Sequence, residues 1–233
     1  MPALQFKQLS DKALFVQFSM TINEQTHQQI QQAIAILQEQ PFPGLIEIVP
    51  SYTNFCVYYD PFTVQKYLQQ TQTTTSAEKV QQYIKTLLEH QQKEVPQESR
   101  LIEIPVLYGG EYGPDLKEVA NINGLTPAEV IAIHTSKEYL VHMLGFAPGF
   151  PFLGGMDQHI ATPRRATPRL EIAAGSVGIA GEQTGIYPLS TPGGWQIIGR
   201  TTKRLFLPEQ NPPTLLRAGD RIRFVEVKED TSC

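Results

Sequence analysis

Three arginines, Arg164, Arg165 and Arg169, are crowded into "PRRATPR" (163–169), where Pro163 and Pro168 restrict the backbone around them. Guanidinium forks match carboxylates and phosphates in bidentate geometry, so a stiff arginine loop reads as an anion clamp. The competing reading is a surface turn whose arginines pair with nearby acids. Just upstream lies "GFAPGFPFLGG" (145–155), with four glycines, two prolines, three phenylalanines and no charge. Its glycines and prolines argue against a helix interior, and the prolines also argue against a central strand. The stretch is therefore expected to be a shaped loop whose Phe146, Phe150 and Phe152 wall a pocket. Apolar walls with a few convergent polar groups are the usual composition of a ligand site.

Further candidates follow. "AGSVGIAGEQTG" (174–185) carries glycines at 175, 178, 181 and 185, but it matches neither Walker A nor the dinucleotide fingerprint. Its glycines read as strand bends, while Ser176, Gln183 and Thr184 offer hydroxyl and amide groups to an anionic substrate. "TPGGWQIIGRT" (191–201) holds the single tryptophan, Trp195, as a further pocket wall or a core residue. Arg200 ends an apolar strand there and is a candidate catalytic group, unless it only stacks or pairs. His142, in "YLVHMLGF", is the candidate general acid or base at the pocket rim, against the alternative of a satisfied core histidine. His134 is the other histidine near these motifs. No HExxH or Cys-His cluster is present, so no metal ligand set is visible, and there is no nucleophile elbow.

The elements that must position these residues fall into two halves. Residues 1–100 contain 19 glutamines, one glycine and one arginine, whereas 101–233 contain 4 glutamines, 16 glycines and 8 arginines. So abrupt a shift predicts two domains, an α/β domain over 1–92 and a second over 101–233, joined by a polar linker at 93–100. In the first, "LQFKQL" and "ALFVQF" read as strands. Asn23 then caps a helix with Ile30, Ala33, Ile34 and Leu37 at helical spacing. "LIEIV" and "NFCVYY" are two more strands, and Ser76 is expected to cap a helix carrying Val80, Tyr83, Ile84, Leu87 and Leu88. The order is ββαββα, with "QQTQTTTS" (69–76) as an exposed loop. The second half opens with the strand "LIEIPVLY". Two short helices follow, one stopping at Gly124 and one opened by a capping box of Thr126, Pro127 and Glu129. Beyond them, "YLVHML", "LEIAAGSVGIAG", "IYPLS", "WQIIGRT", "RLFLP" and "DRIRFVEV" are short apolar segments punctuated by Gly and Pro, which predicts a barrel or sandwich. The fold class is therefore α+β.

The totals narrow the function. Over 233 residues the formal net charge is −4, so no global basic field favours nucleic acid, and any anion chemistry must be local. No apolar run approaches the roughly 18 residues of a membrane helix. The N-terminus lacks a secretory signal, and two cysteines suggest no disulfide framework, so a cytoplasmic setting is expected.

Taken together, "YGGEYGPDL", "HTSKEYLVHMLGFAPGFPFLGG", "PRRATPRLEIAAGSVGIAGEQTGIYPLSTPGGWQIIGRT" and "PPTLLRAGDRIRF" resemble the allophanate hydrolase subunit 1, or KipI, family. The resemblance covers essentially the whole chain. Ala173, Thr202 and Ala218 stand where that family usually has proline, and Phe152 where it often has tyrosine; none of these removes an arginine. The resemblance implies a small N-terminal α/β domain and a C-terminal cyclophilin-like β-barrel. It also implies partners: a homologous C component (allophanate hydrolase subunit 2, KipA-like) and a LamB/YcsF-type A component. Three functions are open within it. One is a subunit of an ATP-dependent 5-oxoprolinase, with ATP bound in the complex since no Walker A is present. Another is an inhibitor of a sporulation-type sensor histidine kinase. The third is a part of a carboxyltransferase that acts on a urea-like substrate.

Overall fold

The first two alternating apolar runs form an antiparallel pair, β1 (Gln5–Ser10) and β2 (Ala13–Gln17). The computed structural model describes residues 4–68, 75–90 and 99–228, and the chain divides into two units, Met1–Gln97 and Glu98–Cys233. In the first unit, Asn23 caps α1 (Glu24–Glu39), its Oδ1 accepting the Thr26 N–H at 2.8 Å. Strands β3 (Leu45–Pro50) and β4 (Asn54–Tyr59) complete a four-stranded antiparallel sheet in the order β1-β2-β4-β3. Ile30, Ala33, Ile34 and Leu37 are all buried, as their spacing requires, in one core with Leu14, Val16, Phe55 and Val57. Val80, Ile84 and Leu88 of α3 (Ser76–His90) join the same core.

Two local features of this unit differ from the sequence expectation. A short helix, α2 (Pro61–Tyr67), stands between β4 and α3. Asp60 initiates it by accepting the Phe62 N–H, and Pro61 has the φ that a first helical position needs. The cap of α3 is Thr75 rather than Ser76. The Glu78 N–H donates to Thr75 Oγ1 at 3.2 Å and the Thr75 N–H to Glu78 Oε2 at 2.9 Å, a reciprocal capping box. Ser76 Oγ donates instead to the Pro61 carbonyl. Residues 69–74 of the expected loop lie outside the described residues.

The second unit consists of β5 (Leu101–Tyr108), α4 (Leu116–Ile122), α5 (Pro127–Thr135), β6 (Glu138–Leu144), β7 (Pro151–Gly154), β8 (Arg169–Ile172), β9 (Ser176–Ala180), β10 (Gln183–Ile186), β11 (Thr191–Gly193), β12 (Gln196–Arg200) and β13 (Arg221–Glu226). Seven strands close into a barrel in the order β10-β7-β6-β13-β5-β12-β9, and β8 and β11 form a separate ribbon. The last strand pairs in parallel with the first, from Arg221↔Leu101 to Glu226↔Val106, which ties the two ends of the unit together. The linker expected at 93–100 lies outside the described residues as far as 98. Arg100 is bound to the barrel, its Nε donating to Asp220 Oδ1 at 2.9 Å. The capping box at Thr126 and the left-handed Gly124 after α4 are both present.

Alternate residues of the barrel strands fill its interior, among them Ile104, Val106, Val141, Leu153, Val177, Ile179, Ile186, Ile198, Ile222 and Phe224. Three apolar segments behave differently from their sequence reading. Pro151–Gly154, within the expected loop, is a barrel strand, with proline tolerated as its first residue. "IYPLS" contributes only Ile186 to a strand, because Pro188 ends the ladder. "RLFLP" forms a single bridge, Phe206↔Thr214, while Leu205 fills core space instead.

Candidate functional site

The residues that organise the barrel surface come from the turn after β5. Gly113 donates its N–H to the Gly109 carbonyl at 2.7 Å, and Gly109 donates to the Ile198 carbonyl at 3.0 Å, so the turn lies flat on β12. A Cβ on residue 113 would sit 2.0 Å from the Ile198 oxygen, so only glycine fits. Two residues further on, Asp115 occupies the N-cap position of α4 but makes no capping bond. Its carboxylate, 5% exposed, serves the arginine loop instead. Arg165 Nη1 donates to Oδ1 at 2.8 Å, Arg169 Nη1 to Oδ2 at 2.8 Å, and Arg169 Nη2 to Oδ1 at 2.8 Å. The Ile197 N–H also donates to Oδ2, at 2.7 Å. These bonds hold the Arg169 guanidinium above its ordinary pKa.

The stiff arginine loop thus binds a carboxylate, and the carboxylate belongs to the chain. Arg165 and Arg169 fasten the 163–169 segment to β12, and the Arg165 N–H adds a bond to the Gly194 carbonyl at 2.8 Å. Arg164 remains exposed and makes no ion pair among the described residues, although its charge is felt at the Tyr187 hydroxyl.

Arg200 is placed differently. It ends β12 opposite Ser176 of β9 on one side and Leu107 of β5 on the other. Its guanidinium lies over the ring of Tyr112, with Cζ 5.5 Å from the centroid, a cation–π distance. Its Nε is buried without a hydrogen-bond partner among the described residues. One turn, 109–115, therefore supplies both the aromatic roof of Arg200 and the carboxylate of the arginine loop. Neither Tyr112 nor Asp115 was identified from sequence. The available signal was an aspartate after Gly-Pro at a helix start, a position where a side chain can turn away from capping duty.

The four expected wall residues do assemble. Phe150 is the hub, with ring centroids 5.4 Å from Phe146, 5.0 Å from Phe152, 5.4 Å from Tyr187 and 5.5 Å from Trp195, all edge-on. This cluster, with Ile172, Ala180 and Ile197, is separate from the barrel interior. The strand glycines make room for it. A Cβ on Gly185 would stand 2.9 Å from Phe150 Cζ and 3.1 Å from Trp195 Cζ3, so close aromatic approach is the role of this glycine. Gly175 and Gly181, at φ +81° and +59°, make the bends their sequence reading expects. Trp195 and Phe150 are buried, but Phe146 is 67% exposed and adopts φ +66°, a left-handed conformation unfavourable for a bulky side chain. The Tyr187 hydroxyl accepts the backbone N–H of Trp195, and burial pushes that hydroxyl up to about 12, so it stays protonated.

The remaining candidates have structural surroundings. Thr184 faces the barrel interior, where its hydroxyl donates to the Gly178 carbonyl at 3.1 Å and accepts from His134 Nε2 at 2.9 Å. His134 Nδ1 then accepts from the Tyr108 hydroxyl at 2.7 Å, and its ring stacks on Phe224 at 4.3 Å. Burial lowers the His134 pKa to about 3, which keeps the imidazole neutral. Ser176 is buried and Gln183 half-buried at the start of β10. His142 is buried on β6 at the bulge between Val141 and Met143. Strand β6 lies three places from β12 one way round the barrel and four the other, so His142 and Arg200, both candidate catalytic groups, are carried on well-separated strands. No group of three His, Cys, Asp or Glu side chains able to hold a metal occurs among the described residues. No described helix is long and apolar enough to cross a membrane.

Comparison with known proteins places this architecture. The chain is 54% identical over 225 residues to the 5-oxoprolinase B subunit of Bacillus subtilis, covering 97% of this chain and 93% of the relative. It is 46% identical over 189 residues to the 5-oxoprolinase B subunit of Haemophilus influenzae, covering 81% of this chain and 82% of the relative. The crystal structure of TTHA0988 superposes with a TM-score of 0.77 at 35% identity, over 95% of this chain and 41% of that longer one. The model of the family described as "Carboxyltransferase domain, subdomain C and D" matches residues 4–216. The chain belongs to this carboxyltransferase-domain family, in agreement with the resemblance its motifs carry.

Proposed function

We propose that this chain is the B subunit of an ATP-dependent 5-oxoprolinase, a complex that hydrolyses 5-oxo-L-proline to L-glutamate. The observation that carries the reading is the 54% identity to the Bacillus subtilis protein over 97% of this chain. Its partners in the proposal are a homologous C component and a LamB/YcsF-type A component. That the chain aligns with 41% of TTHA0988 supports a domain that works beside further sequence.

Transfer of the ATP γ-phosphoryl group to the lactam oxygen releases ADP and makes the carbonyl carbon a better electrophile. Water then adds to that carbon, the C–N bond breaks with the nitrogen leaving as the amine of glutamate, and the phosphoryl group departs as inorganic phosphate. The glycine-rich segment and the arginine loop do not form a triphosphate cradle. Gly185 faces Phe150 and Trp195, and Arg165 and Arg169 are neutralised by Asp115. ATP contacts are therefore assigned to the partner subunits, and substrate positioning to this one. The exposed Phe146, at the edge of the aromatic cluster, and the exposed Leu170 suit a protein–protein contact.

The test is to assemble the chain with its two partners and follow glutamate release from 5-oxoproline. ATP-dependent glutamate that disappears when this chain is omitted supports the proposal; turnover that persists without it refutes it. The same apolar border favours a second reading, docking on a sensor histidine kinase. Kinase autophosphorylation measured with and without the chain tests that reading.

A further inference from the structure

We propose that Arg200, beneath Tyr112 on the outside of the barrel, is the seat of a small-molecule carboxylate, and that in the complex this is the carboxylate of the lactam substrate. The identity of the lactam rests on the function proposed above; the carboxylate seat does not.

Of the four candidate arginines, Arg164, Arg165, Arg169 and Arg200, three are unsuited to hold a ligand carboxylate. Asp115 neutralises both Arg165 and Arg169: it holds both Nη atoms of Arg169 and Nη1 of Arg165, whose Nε stays without a partner among the described residues, so neither guanidinium carries an uncompensated charge. Arg164 is exposed on the loop, where solvent screens its charge. Arg200 alone combines partial burial with a guanidinium that makes no ion pair among the described residues. Its cross-strand neighbours, Ser176 and Leu107, carry no charge that would compete for it.

The immediate surroundings hold the fork in place. Tyr112 covers one face of the guanidinium, and a covered face leaves the in-plane edges to make hydrogen bonds. The turn bearing Tyr112 is bonded to the carbonyl of Ile198, two residues before Arg200, so roof and fork share one rigid strand. The buried Nε lacks an acceptor among the described residues, so the fork's in-plane hydrogen bonding is not satisfied there, and a carboxylate is the ligand whose two oxygens match such a fork. Because the chain is acidic overall, with a formal net charge of −4, such a site owes its anion preference to this local fork.

The experiment is a binding isotherm on the assembled complex without ATP, using 5-oxo-L-proline, 2-pyrrolidinone (the same lactam without a carboxylate) and inorganic phosphate. The seat requires that 5-oxo-L-proline binds at least tenfold more tightly than 2-pyrrolidinone and more tightly than phosphate. Arg200→Ala is expected to weaken 5-oxo-L-proline at least tenfold and to raise KM more than it lowers kcat. Arg200→Lys, which keeps the charge but loses the fork, should fall between. Arg204→Ala, at an exposed arginine 3.6 Å from Glu209, controls for general charge and should change binding less than twofold. Equal affinity for the two lactams, preference for phosphate, or wild-type binding by a folded Arg200→Ala complex would each overturn the seat, and no 5-oxo-L-proline binding would overturn its assignment to the lactam. Arg200-dependent binding without glutamate release would uphold the seat while refuting the proposed function. Glutamate release with an unchanged KM in Arg200→Ala would do the reverse.

Discussion

Asp115 and Ile197 bind each other twice: the Asp115 N–H donates to the Ile197 carbonyl at 2.9 Å, and the Ile197 N–H donates to Asp115 Oδ2 at 2.7 Å. The carboxylate is thereby fixed to β12 independently of the arginines. Arg165 and Arg169 are bonded to that held anion, which makes the arginine loop part of the barrel's framework. Arg200, at the end of the same strand, is left with an aromatic roof and no carboxylate among the described residues.

Replacing Asp115 by Asn keeps the shape and removes the charge shared by two guanidinium groups. Arg165 and Arg169 are 35% and 26% exposed, so water recovers part of their solvation. The expected loss is about 2–3 kcal/mol, below the range for a fully buried pair. Urea denaturation measures it. A shift of less than about 0.5 kcal/mol, the size of an ordinary surface substitution, would mean the network contributes little.

Gly185→Ala inserts a methyl group between two rigid rings, Phe150 and Trp195. Overpacking of this kind costs about 1–3 kcal/mol. Because Trp195 is the only tryptophan, its emission should shift in the folded variant as well. An unchanged spectrum and melting temperature would show that the cluster yields easily.

The pH dependence follows from His134. Its folded pKa, about 3, lies below the ordinary 6.5, so the unfolded chain binds the extra proton. Stability is full above pH 6.5 and is lost as pH falls towards 3, at up to about 1.4 kcal/mol per pH unit. Between pH 6.5 and 4.5 this loss precedes most carboxylate titration. His134→Gln should flatten that stretch of the profile, whatever it does to stability at neutral pH. An identical slope in the variant would assign the titration elsewhere.

Phe146→Gly removes an exposed ring and a left-handed φ of +66° together. Relief of about 1–2 kcal/mol of backbone strain offsets edge contacts worth about 0.5–1.5 kcal/mol each. The melting temperature should therefore move little while affinity for the partner subunits falls, read by analytical ultracentrifugation. Loss of stability without loss of assembly would make Phe146 a packing residue.

Much of the architecture is legible in local pattern. The Asn23 cap, the Thr126 capping box and the helical spacing of Ile30, Ala33, Ile34 and Leu37 are short-range signals, and each element formed where they lie. Short-range ambiguity explains the misses. Thr75 and Ser76 are both competent caps, and only the reach of Glu78 selects between them. Pro151 is compatible with a loop or with the first residue of a strand, and pairing with β6 decides it.

By itself the sequence determined the two-part α+β organisation, the family motifs, the aromatic composition of the outer cluster and the presence of spare positive charge near it. These depend on residue type and on spacing within a dozen positions. Tertiary structure decided which arginine is spent and which is open. Asp115 lies 54 residues from Arg169 in the chain and 2.8 Å from it in space, and no local pattern encodes that meeting. A charge's chemistry depends on what the fold sets opposite it, and that is a property of strand order and register around the closed barrel.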